Sequence, residues 1–157
     1  YPEIYPPEAE DYHPLYAGRT LFLDRVDRSV AETILDRLES ATAMMAVAQL
    51  RVLGGAMARI PTESTAFAHR NSKIMVNLAA LYQEPQEKSL HEGWASEFRT
   101  AIKQNDKGVY VNFLGNEGEE QIRAAYPNGT WERLCRIKAK YDPDNLFRLN
   151  QNIPPAH

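Results

Sequence analysis

"SKIMVNLAALY", residues 72–82, is the stretch on which the fold turns. Its apolar content suits a strand, while its run of alanines suits a helix as well. Taken as a strand, it joins other candidates on either side. Upstream, "RTLFLDRV" (19–26) has the β-branched and aromatic content of a strand, and "AVAQLRVLGGAMARIP" alternates around Leu50, Val52 and Leu53 before Gly54 and Gly55 break or bulge it. Downstream, "GVYVNFL" (108–114) puts Val109, Val111 and Phe113 on one face and Tyr110, Asn112 and Leu114 on the other, because side chains alternate across a strand.

Helical segments separate these strands. Ser29 and Glu32 form a capping-box pattern ahead of a helix over 30–40, with Val30, Ile34 and Leu38 on one face. A second helix over 86–104 places Leu90, Trp94, Phe98 and Ala101 or Ile102 on one stripe. A short helix over 117–125 follows. The last, over 130–141, has Trp131, Leu134, Cys135, Lys138 and Tyr141 on a shared side. Alternating strands interrupted by helices of mixed length predict an α+β fold, a largely antiparallel sheet with helices packed on one face. Residues 1–18, rich in proline, tyrosine and acid, read as an extended leader or linker to a compact domain over 19–157, and the absence of an initial Met suggests a cut through a longer protein.

The 157 residues are the size of one domain, with 43% hydrophobic and 25% charged content. A formal net charge of -3 without a block of like charge gives no footprint for nucleic acid. No apolar run approaches the roughly 20 residues of a membrane helix, so no membrane partner is expected. Cys135 is the single cysteine, and His13, His69, His91 and His157 lack ligand spacing, so no metal is expected. One cysteine fits the cytoplasm and does not exclude export.

Chemistry has few places to reside. On a strand, Tyr110 and Asn112 would address one ligand with a phenol and an amide, or simply face water. A phenol acting as base needs its pKa, ordinarily about 10, lowered by neighbours. In the tail, "DPDN" (142–145) supplies turn chemistry, Leu146, Phe147 and Leu149 are expected to anchor the segment in the core, and Asn150, Gln151 and Asn152 either meet a ligand or satisfy buried backbone. "TAFAHR" (65–70) can be read as a catalytic His69 with an anion-binding Arg70, but structural duty is the better reading: neighbours on a strand point apart, so one can be buried and hydrogen-bonded while the other faces water. Cys135 reads as a small core residue. "NGT" (128–130) fits a glycosylation sequon, a triplet short enough to recur by chance.

Three blocks in order, "GGAMARIP..TAFAHR", "GVYVNFLGNEGEEQIRAAY" and "TWERLCRIKAKYDPDNLFRLNQNIPP", resemble the C-terminal part of berberine bridge enzyme-like FAD-linked oxidoreductases over roughly residues 50–155. The most diagnostic core is "LxxxKxKYDPxNLFRxNQNI", within a C-terminal motif spanning about 117–155. The resemblance implies a substrate domain whose FAD is bound mainly by an N-terminal domain of the same parent protein, with a small-molecule substrate between them. It casts Tyr110 as the base or orienter of a substrate hydroxyl and Asn77 as a polar active-site residue. Asn112, Asn150 and Asn152 become flavin contacts. The implied reaction removes a hydride from a CH–OH carbon of a sugar or other alcohol to flavin. Because no segment resembles the FAD-binding domain, this chain alone is expected to bind FAD weakly and turn over nothing. Two other readings share the scaffold: a non-catalytic ligand-binding or interaction module, and a C–C or C–N bond-forming flavin oxidase.

Overall fold

The computed structural model describes residues 13–105, 108–115 and 118–156. Residues 72–82 supply the central strand. Strand β3 (Ile74–Tyr82) lies between β1 (Leu15–Leu23) and β2 (Met45–Val52), both antiparallel to it. Pairing on both edges overrides the helical propensity of its alanines, and most of the strand is buried. Strand β1 starts at Leu15, inside the stretch read as leader, and ends at Leu23.

The register divides the sheet into two faces. Leu21, Leu23, Val76 and Leu78 point to one side, where they form a core with Ile34 of α1 (Arg28–Glu39) and with Phe98 and Ile102 of α2 (Lys88–Ile102). Val30, Leu38 and Trp94 pack around it. Each of these large side chains contributes about 1.5–3 kcal/mol when fully removed from water. The Trp94 indole N–H donates to the Arg37 carbonyl at 3.0 Å, joining the two helices. The fold is thus α+β, with an antiparallel sheet and helices on one face.

Two local expectations are corrected here. Asp27, not Ser29, caps α1: its carboxylate accepts the Val30 N–H at 3.1 Å, and that bond holds its pKa below the usual carboxylate range. Glu32 instead pairs with Arg28 at 2.7 Å. On α2, Leu90 is 57% exposed, and the buried stripe runs through His91, Ala95, Phe98 and Ile102, a spacing that keeps the helical period but starts one residue later.

The other face of the sheet carries Tyr16, Gly18, Thr20 and Phe22 of β1, with Met75, Asn77 and Ala79 of β3 beside them. His69 stacks on Phe22 with ring centroids 4.2 Å apart. Residues 108–114, expected as a strand, instead cross this face and close into a 3-10 turn at Val111–Phe113. The Tyr110 N–H is spent on the Thr20 hydroxyl at 3.1 Å, and the Phe113 and Leu114 N–H groups bond back to Tyr110 and Val111 carbonyls, so none joins a ladder. Val109 and Leu114 are what the segment buries, in a second core with Ala125 just beyond α3 (Glu119–Ala124).

Helix α4 (Thr130–Tyr141) follows, with Trp131 and Cys135 buried and Tyr141 75% exposed. Asp142 then organises the chain beyond it. Its carboxylate lies 2.5 Å from the Lys138 ammonium and accepts the Leu146 and Phe147 N–H groups at 2.8 and 3.1 Å. Leu146, Phe147 and Leu149 are 72%, 82% and 85% exposed, so they anchor nothing in this chain's core. The turn closes locally and leaves them outside. The segment returns to the domain farther on, where the Ala156 N–H bonds the Cys135 carbonyl at 3.0 Å.

Candidate functional site

Tyr110 and Asn112 do meet, although not by strand alternation. The tight turn at 111–113 brings the Asn112 Nδ2 to donate to the Tyr110 phenol oxygen at 2.9 Å. Aromatic rings hold the phenol from two sides: Phe67 stands edge-on at 5.8 Å and Phe113 lies tilted at 5.7 Å. Phe67, Tyr110 and Asn112, together with His69 and Tyr126, border a cleft of about 190 Å³. Burial, and then the neighbouring Tyr110, push the Tyr126 phenol above its ordinary value. Tyr126 therefore stays a neutral hydroxyl.

Asn77 sits on the same face of the sheet, 8% exposed, and its Oδ1 accepts from the Tyr16 hydroxyl at 3.3 Å. Thr20 lies directly across from Asn77 and holds the Tyr110 backbone, so Asn77 and Tyr110 flank one residue on the same side of the sheet. Tyr16 escaped the sequence reading because it fell in the presumed leader. Extending the β1 alternation backwards would have found it, since Tyr16, Gly18 and Thr20 are in phase. Gly18 is required beside it: a Cβ there would meet the Tyr16 ring and approach the Leu78 carbonyl to 2.8 Å.

The tail amides form a third place. Asn150 and Asn152 line a groove of about 630 Å³ with Leu114, Gly118 and Ile122. Between them, the Gln151 side chain turns inward and donates to the Leu114 carbonyl at 2.6 Å. Structural duty thus claims the middle amide. Asn152 differs, because its Oδ1 is buried at the groove with no hydrogen-bond partner. A buried acceptor left open in this way suits an external N–H donor such as a flavin ring would bring. On that acceptor, Asn152 fits the flavin contact that the resemblance implies.

The remaining candidates are structural. His69 and Arg70 are both buried, at 6% and 7% exposed, because residues 65–70 form a loop over the sheet and not a strand with opposed sides. The expected split between core and water does not occur. Burial pushes the Cys135 thiol up, which keeps it protonated and poorly nucleophilic. Asn128 is exposed in a left-handed turn at φ 58°, while the hydroxyl-bearing Thr130 is buried at the start of α4. Among the described residues, no three His, Cys, Asp or Glu side chains converge as a metal ion requires.

Known proteins with similar sequences and folds were found. The family profile described as "Berberine and berberine like" matches residues 109–154. An uncharacterised FAD-linked oxidoreductase of Bacillus subtilis is 36% identical over 123 residues, covering 78% of this chain and 27% of its own length. A monolignol oxidoreductase of Arabidopsis thaliana is 35% identical over 115 residues, covering 64% and 22% respectively. The chain spans about a quarter of the length of these relatives. Among solved structures, a chitooligosaccharide oxidase superposes with a TM-score of 0.75 at 21% identity, over 92% of this chain and 34% of that one. A berberine bridge enzyme variant gives 0.73 at 23% identity, over 93% and 34%.

Proposed function

Because this chain belongs to the berberine bridge enzyme-like FAD-linked oxidoreductases, we propose that it is the substrate side of an enzyme that oxidises a CH–OH group of a sugar or other alcohol. The oxidation removes a hydride from carbon and a proton from oxygen, leaving a carbonyl. FAD supplies the hydride acceptor when bound, and oxygen or another acceptor restores it. The names of two structural neighbours, a chitooligosaccharide oxidase and a glycopeptide hexose oxidase, support a sugar or similar polyol as substrate class.

The single observation that carries this reading is the Asn112 to Tyr110 hydrogen bond. Asn112 donates to the phenol oxygen, which fixes its direction, and a donor of this kind bonds more strongly to an oxygen that carries negative charge. As a phenolate, Tyr110 is thereby suited to take the proton of the substrate hydroxyl and become a phenol. Asn77, steadied by Tyr16, orients the substrate from the sheet. Asn150 and Asn152 hold the flavin, with the open Asn152 acceptor as the main contact. The exposed Leu146, Phe147 and Leu149 dock on an FAD-binding domain of the same parent, and without that domain this chain binds FAD weakly and is inactive.

The test uses the full-length parent. It should purify yellow and reduce its flavin when given sugars or alcohols. Tyr110→Phe should slow flavin reduction by about 10²- to 10⁴-fold while leaving thermal unfolding unchanged, the range that a positioned proton acceptor supplies. Unaltered reduction removes Tyr110 from the mechanism, and a colourless parent that takes up no FAD favours a non-catalytic binding module.

A further inference from the structure

Arg70 is a buried cation with no carboxylate paired to it among the described residues. Removing a guanidinium from water without a counter-charge is costly, and what offsets the cost shows what the group is for. Its Nη1 donates to the Met57 carbonyl at 3.1 Å and its Nη2 to the Thr65 hydroxyl at 2.6 Å, while Nε is buried with no partner. Both bonds go to one loop, the stretch between β2 and β3. The same Thr65 oxygen accepts the Phe67 N–H at 3.3 Å, and the guanidinium carbon lies 5.7 Å from the Phe67 ring centroid.

Phe67 is therefore held twice, by its backbone through Thr65 and by its ring through the cation. That ring is the one standing edge-on to Tyr110 at 5.8 Å. It also meets His69 at 5.8 Å, and His69 is in turn stacked on Phe22 of the sheet. A planar fork spans the two acceptors and the ring together, whereas a lysine offers one point charge.

We infer that Arg70 is a positioning residue for Tyr110, fixing the phenol by clamping Phe67 against it. The inference rests on the reading of Tyr110 given above. A loosened Phe67 leaves the phenol free to tilt while the substrate and flavin contacts remain. The effect belongs in the rate of the chemical step and not in binding.

The experiment measures flavin reduction and KM in the full-length flavoenzyme for Arg70→Met, Arg70→Lys and Phe67→Leu, each alone and combined with Tyr110→Phe. Arg70→Met and Phe67→Leu should each slow reduction at saturating substrate by about 10- to 100-fold, as a misplaced reacting group does, with KM and flavin content retained. Arg70→Lys should recover only part of the rate. In the Tyr110→Phe background the same changes should have no further effect. Equal losses in both backgrounds, or full speed in the single variants, overturn the inference. Phe67→Leu keeps the test in force should Arg70→Met fail to bind flavin. A Tyr110→Phe enzyme running at full speed is a separate result, which removes the phenol's role itself and the clamp's purpose with it.

Discussion

Gly108 illustrates how much one residue decides. Its φ is +82°, a region L side chains rarely adopt, and a Cβ there would approach the Ala124 carbonyl oxygen to 2.5 Å and His69 Cε1 to 2.9 Å. Backbone strain and crowding add at this position, so Gly108→Ala should cost at least about 2 kcal/mol, read as a lowered denaturation midpoint. It should also displace the turn that carries Tyr110 and Asn112. Those two residues were legible in the sequence as a pair, yet the reason given for their proximity was wrong. A strand would have set them two apart on one face, whereas a 3-10 turn set them in hydrogen-bond contact. Tyr16 was within reach of the β1 alternation but fell in the presumed leader, whereas the contacts of Arg70 run to a looping segment and leave no trace in spacing.

Elements were read best where one period governed them. Helix α4 has the bounds expected from its pattern, and α1 shows the predicted Val30, Ile34 and Leu38 face. Residues 108–114 misled because the alternation was genuine but the backbone had better partners in Thr20 and in its own turn. The tail misled similarly. Apolar residues imply burial only if something in the chain covers them, and the Asp142 turn faces them outward. That turn is sensitive to acid. Chiefly the Lys138 hydrogen bond, helped by the Leu146 and Phe147 N–H groups, lowers the Asp142 pKa from the ordinary 3.8. A carboxylate lowered on folding contributes stability above its unfolded value and loses it as pH falls through the folded one. The wild-type chain should therefore be more stable than Asp142→Asn at neutral pH. The gap should close only below the ordinary carboxylate range, as urea midpoints across an acid series would show; a constant gap would mean the carboxylate's charge is not the cause.

At the scale of the whole molecule, the domain presents three surfaces with different fates: a helix-covered sheet face, a face crossed by the Tyr110 loop, and an apolar tail. Replacing Leu146, Phe147 and Leu149 together with serine should leave this chain's unfolding midpoint within about 0.5 kcal/mol of wild type, since exposed positions carry little packing. In the full-length parent the same triple change should release flavin more readily on dilution. Unchanged flavin retention would separate the tail from the FAD-binding domain. The border of the sheet has a practical consequence as well. Strand β2 leaves Val47, Leu50 and Val52 uncovered, and the Leu53 N–H bonds the Lys73 carbonyl at 2.7 Å. Ladder alternation then turns the peptide groups of Ala46, Ala48, Leu50 and Val52 away from β3. Among the described residues no strand pairs with this border, and such a bare selvage recruits its own kind, so preparations of this polypeptide by itself will thicken into stacked aggregates as they are concentrated.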